Sequence, residues 1–70
     1  MQREYVESKN LRSVGYDAES QILEIEFTSG SVYQYFNVPA NVYAALMSAS
    51  SKGQYHVQWI KHNYRYAKIS

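Results

Sequence analysis

The clearest alternation of apolar and polar positions lies in residues 22–27. Leu23, Ile25 and Phe27 occur at every second position, and glutamates separate them. Because successive side chains of a strand point to opposite faces, this pattern is typical of a half-buried strand. It predicts a strand over residues 22–27 whose outer face is acidic.

Two further strands are predicted beside this one. Residues 11–16 form the first strand, and the polar segment 17–21 is a turn after it. Residues 28–30 make a three-residue hairpin loop, because glycine at the third position can adopt the left-handed conformation that such loops require. Residues 31–36 then form the third strand, antiparallel to the second.

The length of this loop also predicts the register of the second and third strands. Ile25 should face Tyr33, and Leu23 should face Tyr35, so that aliphatic and aromatic side chains share one face. We interpret Tyr33 and Tyr35 as core residues for that reason. The alternative is an exposed aromatic platform on which nucleic-acid bases stack.

Two helices are predicted after the strands. Pro39 suits the first position of a helix over residues 39–51, and Gly53 is the predicted stop. The inward stripe of this helix is formed by Val42, Ala45, Leu46 and Ala49. A second helix is predicted from about residue 54 to residue 63.

At about 100° per residue, the second helix has an inward and an outward stripe. The inward stripe is predicted to contain Val57, Ile60 and Tyr64. The outward stripe contains Tyr55, Trp59 and His62, with Lys61 and Arg65 on the flank between the two. The predicted fold is therefore α+β, with a three-stranded antiparallel meander followed by two α-helices packed on one face of the sheet.

The 70 residues are long enough for a single domain only, and residues 1–7 are a candidate for a flexible N-terminal segment. The net charge is +1, but it is distributed unevenly. Residues 1–26 have three basic and six acidic side chains, whereas residues 27–70 have four basic side chains and no acidic one. The C-terminal part of the chain is therefore locally basic.

This basic part contains the candidate functional residues. Cations attract phosphates, and tryptophan and tyrosine rings stack on unpaired bases. The sequence therefore suggests a module that binds RNA or another single-stranded nucleic acid through Lys52, Tyr55, Trp59, Lys61, His62 and Arg65. The alternative is a protein-interaction or self-associating domain that uses the surface of Tyr55 and Trp59, as a monomer or a weak homodimer.

Other classes of function find less support. The chain has no cysteine, and its two histidines lie six residues apart without an acid nearby, so no metal site is expected. Residues 48–53 resemble a phosphate-binding loop in composition only, and no nucleophile lies beside a base. We expect no enzyme, no cofactor and no small-molecule substrate. No segment is apolar over the length that crosses a bilayer, so a cytoplasmic protein without membrane contact is expected.

The order of several short motifs resembles the KTSC domain, a family named from the C-terminus of some lysyl-tRNA synthetases that also occurs as small bacterial proteins. The motifs are Val14-Gly15-Tyr16-Asp17, Leu23-Glu24-Ile25-Glu26-Phe27, Ser29-Gly30, Tyr33-Gln34-Tyr35, Val38-Pro39, Ser51-Lys52-Gly53 and Tyr64-Arg65-Tyr66. The pair Tyr33 and Tyr35 matches the hallmark of the family. The resemblance implies a non-enzymatic domain of uncharacterised function, for which the synthetase context suggests RNA binding.

The sequence departs from the family pattern in the predicted second helix. His56 and Val57 stand where the family tends to have phenylalanine and asparagine, and Trp59 occupies a position that is typically polar. His62 replaces a residue that is often glycine. No role can be carried over to these positions.

Overall fold

A computed structural model describes residues 1–70 of the chain. Five strands form one antiparallel sheet in the order β1-β2-β3-β4-β5, and two helical segments follow β4. The elements are β1 (Arg3–Tyr5), β2 (Leu11–Asp17), β3 (Ile22–Phe27), β4 (Val32–Tyr35), α1 (Ala40–Ser48), α2 (Lys52–Tyr55), a π-helical turn (His56–Ile60) and β5 (Tyr66–Lys68). No helix is long and apolar enough to cross a membrane.

The three predicted strands and their register are confirmed. Ile25 pairs with Tyr33 and Leu23 pairs with Tyr35, as the three-residue loop requires. Gly30 has a φ of 98°, the left-handed conformation for which the loop needs glycine.

The prediction of only three strands is wrong, because β1 and β5 extend the sheet at its two edges. In β1, Glu4 pairs with Val14, and in β5, Tyr66 pairs with Tyr35. Each of these strands has three residues, too few for a period-2 pattern to be recognised. The candidate flexible segment 1–7 therefore contains a short edge strand.

The core lies between one face of the sheet and the helical segments. Its buried side chains are Leu11, Val14, Leu23, Ile25, Tyr35, Val38, Leu46 and Ile60. In α1 the predicted inward stripe is confirmed, since Leu46 is fully buried and Val42, Ala45 and Ala49 are half-buried. Tyr35 is thereby a core residue, whereas Tyr33 is only half-buried.

The predicted stop of the first helix at Gly53 is wrong. α1 ends at Ser48, because Ala49 adopts an extended conformation with a ψ of 139°. Ser51 then caps α2, its Oγ accepting a hydrogen bond from the Gln54 N–H at 3.3 Å. Gly53 lies inside α2, where a Cβ atom would approach Nδ2 of Asn10 to 3.0 Å. Close packing against Asn10 explains glycine at this position.

The predicted faces of the second helix are wrong in two places. Val57 is 52% exposed, while His56 and Ile60 are buried, and Tyr55 packs partly against the core. The chain forms a π-helical turn in which the Lys61 N–H donates to the His56 carbonyl at 2.8 Å. Apolar periodicity selects Val57 for the core and misses a polar residue that has a buried hydrogen-bond partner.

The outer face of the sheet is acidic, as the sequence predicts, and its carboxylates are paired. Arg3 and Gln34 donate hydrogen bonds to Glu24 at 2.6 and 2.8 Å. Ser13 donates to Glu26 at 2.9 Å, and Arg12 lies 3.7 Å from the same carboxylate. These partners explain the two glutamates as structural groups of the sheet.

Candidate functional site

An open groove lies between the inner face of β3, β4 and β5 and the π-helical turn. It has a volume of about 290 Å³. Its lining consists of Phe27, Tyr33, Tyr35, His56, Lys61, His62 and Tyr66. We call this feature the aromatic groove, because four of the seven side chains are phenylalanine or tyrosine.

Strand register brings the tyrosines of the groove together. Tyr33 and Tyr35 are two residues apart in β4 and share a face, and Tyr66 is the pairing partner of Tyr35 in β5. The ring centroid of Tyr66 lies 5.8 Å from that of Tyr33 and 5.9 Å from that of Tyr35. Phe27 adds an edge-to-face contact with Tyr33 at 5.7 Å. Tyr66 is 59% exposed, so its ring lies at the open side of the groove.

The floor of the groove contains a buried polar pair. The Tyr35 hydroxyl and Nε2 of His56 are hydrogen-bonded at 2.7 Å, and His56 is 6% exposed. Burial lowers the pKa of His56 to about 4, assisted by the nearby charges of Lys61 and His62. Burial also raises the pKa of Tyr35 to about 12, with smaller effects of Tyr33 and Tyr66. Both groups are therefore neutral at physiological pH.

The basic side of the groove comes from the residues after the π-helical turn. Lys61 and His62 line the groove and are exposed. The hydrogen bond from the Lys61 N–H to the His56 carbonyl fixes the backbone of Lys61 next to the buried imidazole. The π-helical turn thus places a cation beside the tyrosine rings.

The structure does not gather the six predicted binding residues into one surface. Lys61 and His62 line the aromatic groove, whereas Tyr55 and Trp59 form a separate ring pair with centroids 6.5 Å apart. Lys52 lies in another depression, and its Nζ donates to the Ala49 carbonyl at 3.2 Å. The Arg65 side chain is exposed, and its carbonyl accepts from the Phe36 N–H.

Sequence reasoning misses three residues of the groove. It assigns Phe27 to the core and predicts no role for His56 or Tyr66. The alternation of Tyr66 and Lys68 on either side of Ala67 is the only strand signal in that segment, and it covers three residues. No group of three or more histidine or acidic side chains is placed to hold a metal ion.

Comparison with known families decides the identity of the fold. The sequence model of the KTSC domain matches residues 7–64, most of the chain. The chain belongs to the KTSC domain family. This assignment confirms the resemblance that the order of motifs indicates.

Relatives of this KTSC domain occur both alone and within a larger protein. The chain is 49% identical over 70 residues to an uncharacterized protein of Stutzerimonas stutzeri (strain A1501), covering 99% of each. It is 42% identical over 64 residues to a lysine–tRNA ligase of Trichormus variabilis (strain ATCC 29413 / PCC 7937), and this match covers 91% of the chain but 11% of the ligase.

A solved structure confirms the architecture of the domain. The crystal structure of a KTSC domain protein from Yersinia pestis matches 99% of this chain and 97% of that protein, with a TM-score of 0.96 and 39% identity. The sheet and the helical segments described above are therefore shared with another KTSC domain.

Proposed function

We propose that this KTSC domain binds single-stranded nucleic acid, RNA in the first instance, in the aromatic groove. The observation that carries the proposal is the position of Lys61 and His62 beside the rings of Tyr33 and Tyr66. Aromatic rings at an open site stack on unpaired bases, while cations attract the phosphates between them. One groove thus offers partners for both parts of a nucleotide.

Two features favour a nucleic-acid strand over a smaller ligand. The groove is open on the side of Tyr66, so a bound chain can enter and leave it. Lys68 pairs with Tyr33 in the sheet, and its side chain shares the face of that ring. The cations therefore lie on more than one side of the tyrosines, as successive phosphates require.

The relatives support the same class of ligand. Lysine–tRNA ligases contain a segment that is 41–42% identical to this chain over 64 residues. By their name, those proteins act on a transfer RNA. A small module with an exposed aromatic and basic groove fits the task of holding RNA near such an enzyme.

Tyr66→Ala tests the stacking part of the proposal. Loss of one stacked base is worth about 1–3 kcal/mol, so we expect roughly a 5-fold to 150-fold loss of affinity for single-stranded RNA. The measurement is the anisotropy of a labelled RNA titrated with protein at low and at moderate salt. Tyr66→Phe is the matched control, because it keeps the ring and should bind like the wild type.

Equal affinities of the alanine variant and the wild type would contradict stacking at Tyr66. Fluorescence of the sole tryptophan locates the strand independently, since Trp59 lies outside the groove. Quenching of Trp59 without an effect of Tyr66→Ala would move the binding surface to Tyr55 and Trp59.

A second candidate function rests on the exposure of Trp59. Its side chain is 56% exposed, although tryptophan is highly buried on average, and Val57 is exposed nearby in the chain. We propose, as the alternative to RNA binding, self-association through the surface of Tyr55 and Trp59. An apolar interface of this kind holds at high salt, whereas phosphate binding weakens.

Trp59→Ala tests self-association. If Trp59 anchors a homodimer, the variant should sediment as a monomer at concentrations at which the wild type is dimeric. Sedimentation velocity at low and high salt measures this difference. A wild-type protein that is monomeric throughout, or a variant of unchanged mass, would eliminate this interface.

A further inference from the structure

The aromatic groove continues into two neighbouring depressions. Four of its lining residues, Phe27, Tyr33, His56 and Lys61, also line a depression of about 360 Å³. That depression shares Asn10, Gly53 and Val57 with a third one of about 620 Å³. The three form one continuous path beside α2 and the π-helical turn, which we call the seam.

The far end of the seam differs in chemistry from the aromatic groove. Val57 is the only hydrophobic residue among the eleven that line it, and the others include serines, asparagine and glutamines. Two ammonium groups, those of Lys9 and Lys52, face a single carboxylate, that of Glu7. Hydroxyl, amide and ammonium groups suit a phosphodiester chain better than they suit the apolar anchors of a peptide.

The backbone that carries Lys9 is fixed by several hydrogen bonds. The Thr28 Oγ1 donates to the Lys9 carbonyl at 3.2 Å, and the Thr28 N–H donates to the Asn10 carbonyl at 2.8 Å. Ser8 Oγ accepts from the N–H groups of Asn10 and Leu11, both at 3.3 Å. Lys9 is therefore presented by an ordered turn, although it belongs to the acidic part of the sequence.

We infer that a strand held in the aromatic groove continues along the seam, and that its phosphates are bound by Lys9 and Lys52. This inference rests on the proposed RNA-binding function and extends it. The longest dimension of the molecule is 28 Å, so the seam accommodates on the order of four nucleotides, the lower end of the range for small single-strand-binding domains. Binding should therefore increase with the length of the RNA up to about that size.

The distribution of charge supports this direction. Of the six acidic residues only Glu7 lines the seam, whereas Glu24 and Glu26 lie on the opposite face of the sheet. The cations Lys9, Lys52 and Lys61 all lie along the path. A polyanion is thus attracted to the seam and repelled from the opposite face.

The test compares a uridine dinucleotide with a uridine octanucleotide. The dinucleotide, followed by NMR, can occupy the aromatic groove alone, while the labelled octanucleotide, followed by anisotropy, can also reach the far end of the seam. Combined Lys9→Gln and Lys52→Gln should weaken octanucleotide binding by about tenfold and reduce the salt slope by about two, since each lost phosphate contact lowers it by about one. Dinucleotide binding should stay unchanged.

Two further variants sharpen the test. Glu7→Gln removes the one carboxylate of the seam and should tighten octanucleotide binding by about threefold. Arg12→Gln removes a cation that faces Glu26 on the other side of the sheet, and it should leave both ligands unaffected. Opposite signs at Lys9 and Glu7 would be difficult to obtain from unfolding.

Failure of the seam can be distinguished from failure of the groove. A lysine double variant that binds the octanucleotide as tightly as the wild type, with dinucleotide binding intact, would overturn the seam and leave the aromatic groove standing. A wild-type protein that binds neither ligand at low salt would overturn both proposals.

Discussion

Leu46→Ala is expected to lower the free energy of unfolding by about 2–5 kcal/mol, the usual range for a buried leucine reduced to alanine. Leu46 is the only fully buried residue of α1 and packs into the main core cluster. A domain of this size without disulfides or metal has only a few kcal/mol of stability from its core. The variant should therefore be largely unfolded at room temperature, as measured by circular dichroism and urea titration.

Val57→Ala is the control for this experiment. Val57 is predicted to be a core residue by helical periodicity, but it is exposed in the structure, so its replacement should change stability by no more than about 0.5 kcal/mol. A large loss for Val57→Ala with a small one for Leu46→Ala would contradict the observed packing of the helical segments.

Sequence patterns predict the centre of this fold well and its edges poorly. Residues 22–27 alternate regularly, and the three-residue loop after them has a glycine at its required position, so the register of β3 and β4 follows from local rules. β1 and β5 are held by their neighbours. Three residues pair with an existing strand because its N–H and C=O groups are already in place, and this depends on tertiary structure.

The second helical segment illustrates a different limit. Apolar periodicity favours Val57 as an inward residue, because it treats histidine as polar and therefore exposed. In the structure His56 is buried because the Tyr35 hydroxyl, from the opposite layer, is its hydrogen-bond partner. A pairing between residues 21 positions apart has no periodic signal in the sequence.

The candidate site follows the same logic. Charge distribution indicates that the C-terminal part is basic, and two of the predicted residues, Lys61 and His62, line the aromatic groove. The rings beside them come from β3, β4 and the edge strand β5, so only the sheet topology shows that they meet. Lys9 is still harder to foresee, because it belongs to the part of the sequence in which acidic residues outnumber basic ones.

Acid is expected to destabilise this domain through His56. The pKa of His56 is lowered from an ordinary 6.5 to about 4 by burial, so between these values the unfolded chain binds a proton that the folded chain does not. Stability is unaffected by His56 above about pH 6.5 and falls as the pH decreases from there to about pH 4. A difference of one pH unit between the folded and unfolded pKa values corresponds to about 1.4 kcal/mol, so the loss of stability approaches about 3 kcal/mol.

Urea titrations at several pH values across this window measure the effect, and an NMR titration of the imidazole gives its folded-state pKa directly. His56→Gln is the control, because an amide can still hydrogen-bond Tyr35 but does not titrate, so its stability should vary much less between about pH 6.5 and 4. The lowered pKa of Asp17, caused mainly by a hydrogen bond from Ser20, acts below its ordinary value of 3.8 and thus outside the window. An unchanged wild-type stability across the window, or an imidazole that titrates near its ordinary pKa, would show that His56 is not held neutral in the core.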